Sequence, residues 1–177
     1  MHDILRCAAV MVAAGLWASA SYADDRALCS GDEGTRDDRI AACTRLIDDG
    51  KVEDTGLAQA LQNRGMDHAA KGDRERAIAD YSRALEINPS QIAAFIARAN
   101  AYVAMKQYDR AIADYSEAIK RDADSAVAYL NRATAYAAKG DSGRAIADYG
   151  EAIRIDPKDA RAFYNRGNLH YRAKDYD

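Results

Sequence analysis

The sequence predicts an all-α fold, a solenoid of stacked antiparallel helix hairpins. The segment RAIADYSRAL at 76–85 returns as RAIADYSEAI at 110–119 and as RAIADYGEAI at 144–153, so the interval between copies is constant. Self-similarity at such a period is typical of repeated supersecondary units that stack along one axis. Within each copy, apolar and small residues recur at the three- and four-residue intervals of one helix face.

Glycine, aspartate and proline mark the predicted ends of the helices. In the third unit, a first helix ends at Gly140-Asp141 and a second ends before Pro157, and the first unit carries Gly72-Asp73 and Pro89 at the same places. Gly adopts the left-handed conformation past a helix end, Asp accepts backbone N–H bonds at the next start, and proline stops a helix. The middle unit has Lys106-Gln107 instead, so we expect looser boundaries there.

These boundaries divide the chain into six segments. The capping segment holds one predicted second-type helix at 36–48, which Gly50 ends. The unfinished last unit indicates a piece of a longer array, which we favour, or a face that an oligomer covers. We predict a signal peptide at 1–23, an N-terminal capping segment at 24–57, complete repeats at 58–91, 92–125 and 126–159, and at 160–177 the first helix alone of an incomplete fourth repeat.

The segment at 1–23 has the layout of a secretory signal peptide. A polar start with one arginine precedes an uncharged, mostly apolar run at 7–20, and small residues at Ser21 and Ala23 precede an acidic pair. We therefore expect cleavage after Ala23 and a periplasmic or secreted protein. The apolar run is too short to span a bilayer core of about 30 Å, so we expect no membrane span after cleavage. The alternative is an uncleaved N-terminal segment that anchors the protein, since Asp3 weakens the positive start.

Cys29 and Cys43 remain in the mature chain. An even number of cysteines in an exported chain favours a structural disulfide. Closing a loop of about 15 residues would stabilise the fold by roughly 3 kcal/mol if the gain is chain entropy alone. The alternative is two unpaired thiols that pack as small apolar residues. Because there is no CxxC pair and the histidines are distant, we expect no metal site.

The repeat resembles the tetratricopeptide repeat, a helix–turn–helix unit of about 34 residues. The resemblance rests on columns of equivalent residues, which in the middle unit are Phe95 and Ala99 on the first helix and Ala111 and Tyr115 on the second. It implies a right-handed solenoid in which the first helices line a concave groove that takes an extended or helical peptide of a partner protein. The column of Arg98 departs from the family, which usually has leucine there.

The predicted groove residues are the side chains of each first helix that lie off its packing stripe. Family members that clamp a C-terminal carboxylate use lysines where this chain has Gln62 and Ile96, so we do not expect that clamp despite Asn63 and Asn131. The asparagines can pair with a peptide backbone, and the alternative is hydrogen bonding between helices. The full set is Gln62, Asn63, Met66, Ile96, Asn100, Val103, Leu130, Asn131, Thr134, Tyr164, Asn165 and Asn168.

Arginine and aspartate columns keep a constant spacing from one another in every unit, as Arg98 and Asp114 do in the middle one. We predict an ion pair between the two helices of a unit, or to the next unit. The alternative is that each arginine stem covers apolar surface while its head is solvated.

Composition and motifs exclude several function classes. The net charge of −3 and the absence of a basic block argue against nucleic acid. His68 and His170 stand in packing columns without a nucleophile or second base, so we expect no enzyme and no cofactor. The sequence therefore favours a protein-interaction module or scaffold. The alternative is a self-assembling structural array that associates through its incomplete C-terminal repeat.

Overall fold

The computed structural model of the protein describes residues 22–31, 34–50 and 52–173. The predicted signal peptide lies outside the described residues except for its last two positions. All regular structure in the described residues is helical, in agreement with the predicted fold class. The helices are α1 (22–30), α2 (Arg36–Asp49), α3 (Asp54–Ala70), α4 (Arg74–Ile87), α5 (Ile92–Ala104), α6 (Tyr108–Arg121), α7 (Ala126–Lys139), α8 (Ser142–Ile155) and α9 (Ala160–Ala173).

The helices stack in sequence order, and the stack has two unequal sides. From α2 onward each helix packs against the next. The first helices of successive hairpins, α3, α5, α7 and α9, also contact one another, whereas the second helices α4, α6 and α8 do not. Because one side of the stack is closer together than the other, the solenoid curves with the first helices on its inner side. The predicted α-solenoid is confirmed, and the predicted groove residues belong to its inner helices.

The predicted helix boundaries hold, including in the middle unit. Gly72 and Gly140 take φ of 86° and 92°, and Asp73 and Asp141 cap the next helices through their side chains. The expectation of looser boundaries around Lys106 is wrong, because α6 has the same length as α4 and α8. Lys106 itself adopts the left-handed conformation, with φ of 59°, at the position that glycine holds in the other repeats. That conformation is unfavourable for a residue with a Cβ.

Tyrosines and small residues build the core of the stack. Tyr81, Tyr115 and Tyr149 are all at most 2% exposed. A Cβ at Gly65 would lie 2.7 Å from Cε1 of Tyr81, so the ring touches the backbone of α3. The ten-residue motif recurs because each copy has to make this same helix-to-helix contact.

The arginine column forms a recurring three-residue unit that we call the arginine staple. Arg98 on α5 donates to both carboxylate oxygens of Asp114 on α6, at 2.7 and 2.8 Å, and to the hydroxyl of Ser82 on α4, at 3.0 Å. The staple therefore links the two helices of one repeat and also the preceding repeat, which confirms the predicted ion pairs. The other two staples are Arg64 with Asp80 and Thr44, and Arg132 with Asp148 and Ser116.

The staples are buried rather than solvated. Asp80, Asp114 and Asp148 are 6–7% exposed, so the alternative of a solvated arginine head does not hold. Hydrogen bonds to its aspartate raise the pKa of Arg98 above that of a free guanidinium. The arginine thus remains charged at any pH at which the protein is folded.

The N-terminal segment contains a helix that the sequence patterns did not indicate. The predicted capping helix is α2, and Gly50 ends it with φ of 65°. It is preceded by α1, which a disulfide between Cys29 and Cys43 joins to α2, with Cα atoms 4.9 Å apart. Arg45 Nε also donates to Asp25 Oδ2 at 3.0 Å. The segment is therefore a hairpin that covers α3, not a lone helix.

Candidate functional site

The predicted groove residues lie on the inner helices, and all but one keep accessible surface. Met66 and Tyr164 are the most exposed large side chains among them, at 52% and 70%. Leu130 is the exception, at 4% exposed. It belongs to the core cluster that α7, α8 and α9 share, which includes Ala162 and Leu169 of α9. Its prediction as an accessible groove residue is therefore wrong, because it packs in the core that α7, α8 and α9 share.

Part of the asparagine hydrogen-bonding capacity is used inside the protein. Asn63 Nδ2 donates to the carbonyl oxygen of Cys29 at 3.0 Å, so this asparagine holds α1 against α3. Asn100 Oδ1 accepts from the Tyr115 hydroxyl at 2.5 Å and from Asn131 Nδ2 at 3.4 Å. Helix-to-helix bonding, the alternative to a role in ligand binding, thus accounts for the amide nitrogen of Asn63 and the amide oxygen of Asn100. It leaves the Asn100 amide N–H groups without a partner in the described residues.

A cleft of about 580 Å³ opens between α3 and α5 on the inner face. Four predicted groove residues line it: Gln62, Met66, Ile96 and Asn100. Arg74 and Tyr81 of α4 complete its wall, and neither was among the predicted site residues. Tyr81 belongs to the packing column, and a sequence pattern alone cannot show that one of three equivalent tyrosines also borders an opening. The cleft is mostly apolar, with polar groups at few points, as ligand pockets are.

Burial controls the chemistry of Tyr81. Desolvation, and to a smaller extent the negative charges of Asp80 and Asp67, raise its pKa to about 12. The phenol is therefore neutral at physiological pH and can donate or accept a hydrogen bond.

Within the described residues, no group of three or more His, Cys, Asp or Glu side chains could hold a metal ion. His68 is buried at 8% exposed, and His170 lies on α9. None of the helices in the described part of the chain combines the length and the apolarity that a membrane span requires.

Family models identify the repeat. The tetratricopeptide repeat model matches residues 58–91, and a second TPR repeat model matches residues 99–140 and 134–173. Together these matches cover more than half of the chain. The chain therefore belongs to the tetratricopeptide repeat family. No curated protein matches the sequence.

Solved structures show the same fold. MamA matches with a TM-score of 0.75 and 20% identity, over 80% of this chain and 81% of its own. MamA from Desulfovibrio magneticus RS-1 gives a TM-score of 0.74 at 20% identity, over 81% and 78%. At these identities the similarity establishes the architecture only.

Some of the similar structures contain peptides. The second TPR domain of human RPAP3, solved with the HSP70 peptide SGPTIEEVD, matches with a TM-score of 0.60 and 26% identity, over 62% of this chain and 91% of its own. The first TPR of Spaghetti (RPAP3), bound to the HSP90 peptide SRMEEVD, matches with a TM-score of 0.64 and 22% identity, over 66% and 93%.

Proposed function

We propose that this protein is an interaction module without catalysis of its own, which binds a peptide segment of a partner protein on its concave face. The observation that carries the proposal is the inner-face cleft between α3 and α5, with exposed apolar side chains beside open hydrogen-bonding groups. Similar folds that hold peptides, as in the two RPAP3 structures, support it. Stacked repeats create such extended concave surfaces as a consequence of their curvature.

A pair of matched substitutions tests the proposal. Met66→Glu places a charge on the inner face at a half-exposed side chain, and Ala113→Glu places the same charge on the exposed surface of α6. The bait is the purified protein, and partners are captured by crosslinking in extracts of the source cells. We expect Met66→Glu to lose the partners that the unmodified protein and Ala113→Glu retain. Equal capture by all three proteins would contradict a role for the groove.

We also propose that the protein is exported, to the periplasm or the medium, with cleavage after Ala23. The disulfide between Cys29 and Cys43 supports this, because such bonds persist in oxidising compartments. Intact-mass measurement of the protein from its source should show a chain that begins at Asp24. A mass that includes residues 1–23, recovered with membranes, would instead favour the anchored alternative.

A second candidate function is self-assembly through α9. Phe163, Tyr164 and Tyr171 are 44%, 70% and 69% exposed on this helix, an unusual density of large apolar surface on one element. Light scattering over a range of concentrations tests it. A mass that rises with concentration, and that Tyr164→Ser abolishes, would support assembly, and a constant monomer mass would exclude it.

A further inference from the structure

The tyrosine of the first repeat lacks a hydrogen bond that its two counterparts make. Tyr115 donates to Asn100, and the Tyr149 hydroxyl pairs with Thr134 at 3.1 Å. The residue at the equivalent position of the first repeat is Met66, whose thioether is only a weak acceptor. The Tyr81 hydroxyl consequently has no hydrogen-bond partner within the described residues, although the side chain is 1% exposed.

This hydroxyl borders the cleft between α3 and α5. Its oxygen is not among the enclosed side-chain atoms that lack a partner in the described residues, so it reaches the space of the cleft and is open to a hydrogen bond there. The cleft is large enough for an amino-acid side chain. A ligand that enters it can therefore supply the partner that Met66 does not.

The other polar groups around the cleft indicate which partner fits. The side-chain oxygen of Asn100 is occupied by Tyr115, and that of Gln62 by the Gln91 amide. The N–H groups of both amides have no partner among the described residues, and both side chains line the cleft. Arg74 adds a positive charge that forms no ion pair among the described residues, and no carboxylate of the described residues lines the cleft. Hydrogen-bond donors and one cation thus surround an apolar floor.

We propose that the cleft is a subsite for one acidic and one neighbouring apolar residue of the bound peptide. The apolar side chain packs against Met66 and Ile96, and the carboxylate accepts hydrogen bonds from Tyr81 and from the donors around it. This assignment rests on the proposed function and names the partner class: an acidic, apolar peptide segment. Charge complementarity with Arg74 excludes a basic segment.

The smallest probe for this subsite is N-acetyl-leucyl-aspartate amide, with N-acetyl-leucyl-asparagine amide as its neutral isostere. Both are titrated into the ¹⁵N-labelled protein, and amide shifts report the site and the affinity. We expect the shifts to centre on α3 and α5 and the aspartate probe to bind roughly two- to fivefold more tightly, as one exposed ion pair implies. Equal affinity of the two probes, or shifts confined to other helices, would overturn the proposal.

Three variants separate the hydroxyl from general packing. Tyr81→Phe should weaken the aspartate probe by roughly two- to tenfold, the equivalent of one hydrogen bond, without lowering the Tm. Tyr149→Phe is the matched control and should lower the Tm while leaving the affinity unchanged, because its hydroxyl is already paired with Thr134 and neither residue lines the cleft. Met66→Asn should supply the missing internal partner, raise the Tm and weaken the probe. The reverse pattern for Tyr81 and Tyr149 would refute the assignment.

The outcomes distinguish this subsite from the broader function. If the aspartate probe binds no more tightly than the asparagine probe while Met66→Glu still abolishes capture of the partner, the groove binds a partner but the subsite assignment is wrong. If the aspartate probe binds as expected while Met66→Glu leaves capture of the partner unchanged, the cleft recognises an acidic residue beside an apolar one, but the proposed function of the groove is wrong.

Discussion

Replacing Arg98 by methionine should destabilise the protein strongly, although methionine keeps a long apolar stem. The guanidinium donates two hydrogen bonds to Asp114 and one to Ser82 on the preceding repeat. Methionine still covers the apolar surface under the stem and removes only the polar head. The substitution therefore isolates the staple from the packing of the arginine side chain.

The expected loss follows from the burial of the aspartate. Removing one partner of a buried ion pair costs about 3–5 kcal/mol, because the remaining charge stays buried without compensation. The Arg98 side chain retains 19% exposure, so we expect the lower end, about 3 kcal/mol. Ser82→Ala removes only the contact to the preceding repeat and should cost about 1 kcal/mol. Arg98→Met combined with Asp114→Leu should recover most of the loss, since an apolar pair leaves no buried charge.

Urea unfolding followed by far-ultraviolet circular dichroism measures these changes. A double-mutant cycle on Arg98 and Asp114 should give a coupling energy above about 1.5 kcal/mol, within the range seen for residues in one network. The reasoning would be refuted if Arg98→Met cost less than about 0.5 kcal/mol, the size of an ordinary surface substitution. Ser82→Ala as harmful as Arg98→Met would also refute it, because the contact between repeats would then dominate.

Three further predictions concern single positions. Lys106→Gly should raise the free energy of unfolding by about 1 kcal/mol in urea titrations, because Lys106 has a φ of 59°, which glycine adopts without strain. Lys71→Gly is the control and should not raise the free energy of unfolding, because Lys71 ends α3 in the right-handed conformation. Gly150→Ser should stabilise the protein by about 1 kcal/mol in the same assay, because the new hydroxyl can accept a hydrogen bond from Arg166 as the Ser116 hydroxyl does from Arg132. Gly150→Ala should stabilise the protein by less, because alanine improves only the helix propensity. Stability should fall between pH 10 and 12 by roughly 2–3 kcal/mol from Tyr81 alone, because the unfolded phenol ionises near pH 10 while burial raises the native pKa to about 12. Tyr81→Phe should flatten that decline, and an unchanged slope would contradict the assigned burial.

Positions that make the same contact in every repeat were predictable from the sequence. The tyrosine and alanine columns, the glycine and proline boundaries and the constant spacing of Arg98 and Asp114 all follow from a single period. The hydroxyl residue on the preceding repeat that accepts from each staple arginine was not predicted, although Ser82 and Ser116 recur at the repeat interval. A serine on a helix carries no strong signal by itself, and its role appears only when the preceding repeat is in place.

Structural features that do not recur in every repeat could not be predicted from the repeat pattern. Helix α1 has no counterpart column that a comparison of the repeats detects. The burial of Leu130 depends on α9, whose position is a property of the whole stack. The missing hydrogen-bond partner of Tyr81 likewise depends on one neighbour, Met66, and not on the tyrosine.

The binding surface that we propose consists of the columns that vary. The contacts between helices are the same in every repeat, so the residues that make them must recur, as Ala111 and Tyr115 do. The residues at another repeat position lie on the inner face, and they can differ between repeats because they do not make those recurring contacts. They are Met66, Asn100, Thr134 and Asn168. In two repeats the side chain in this column satisfies the tyrosine beneath it, and in the first repeat it does not. In the subsite that we propose, a single difference in a variable column thus makes the hydroxyl of a packing residue available to a ligand, without any change in the core of the array.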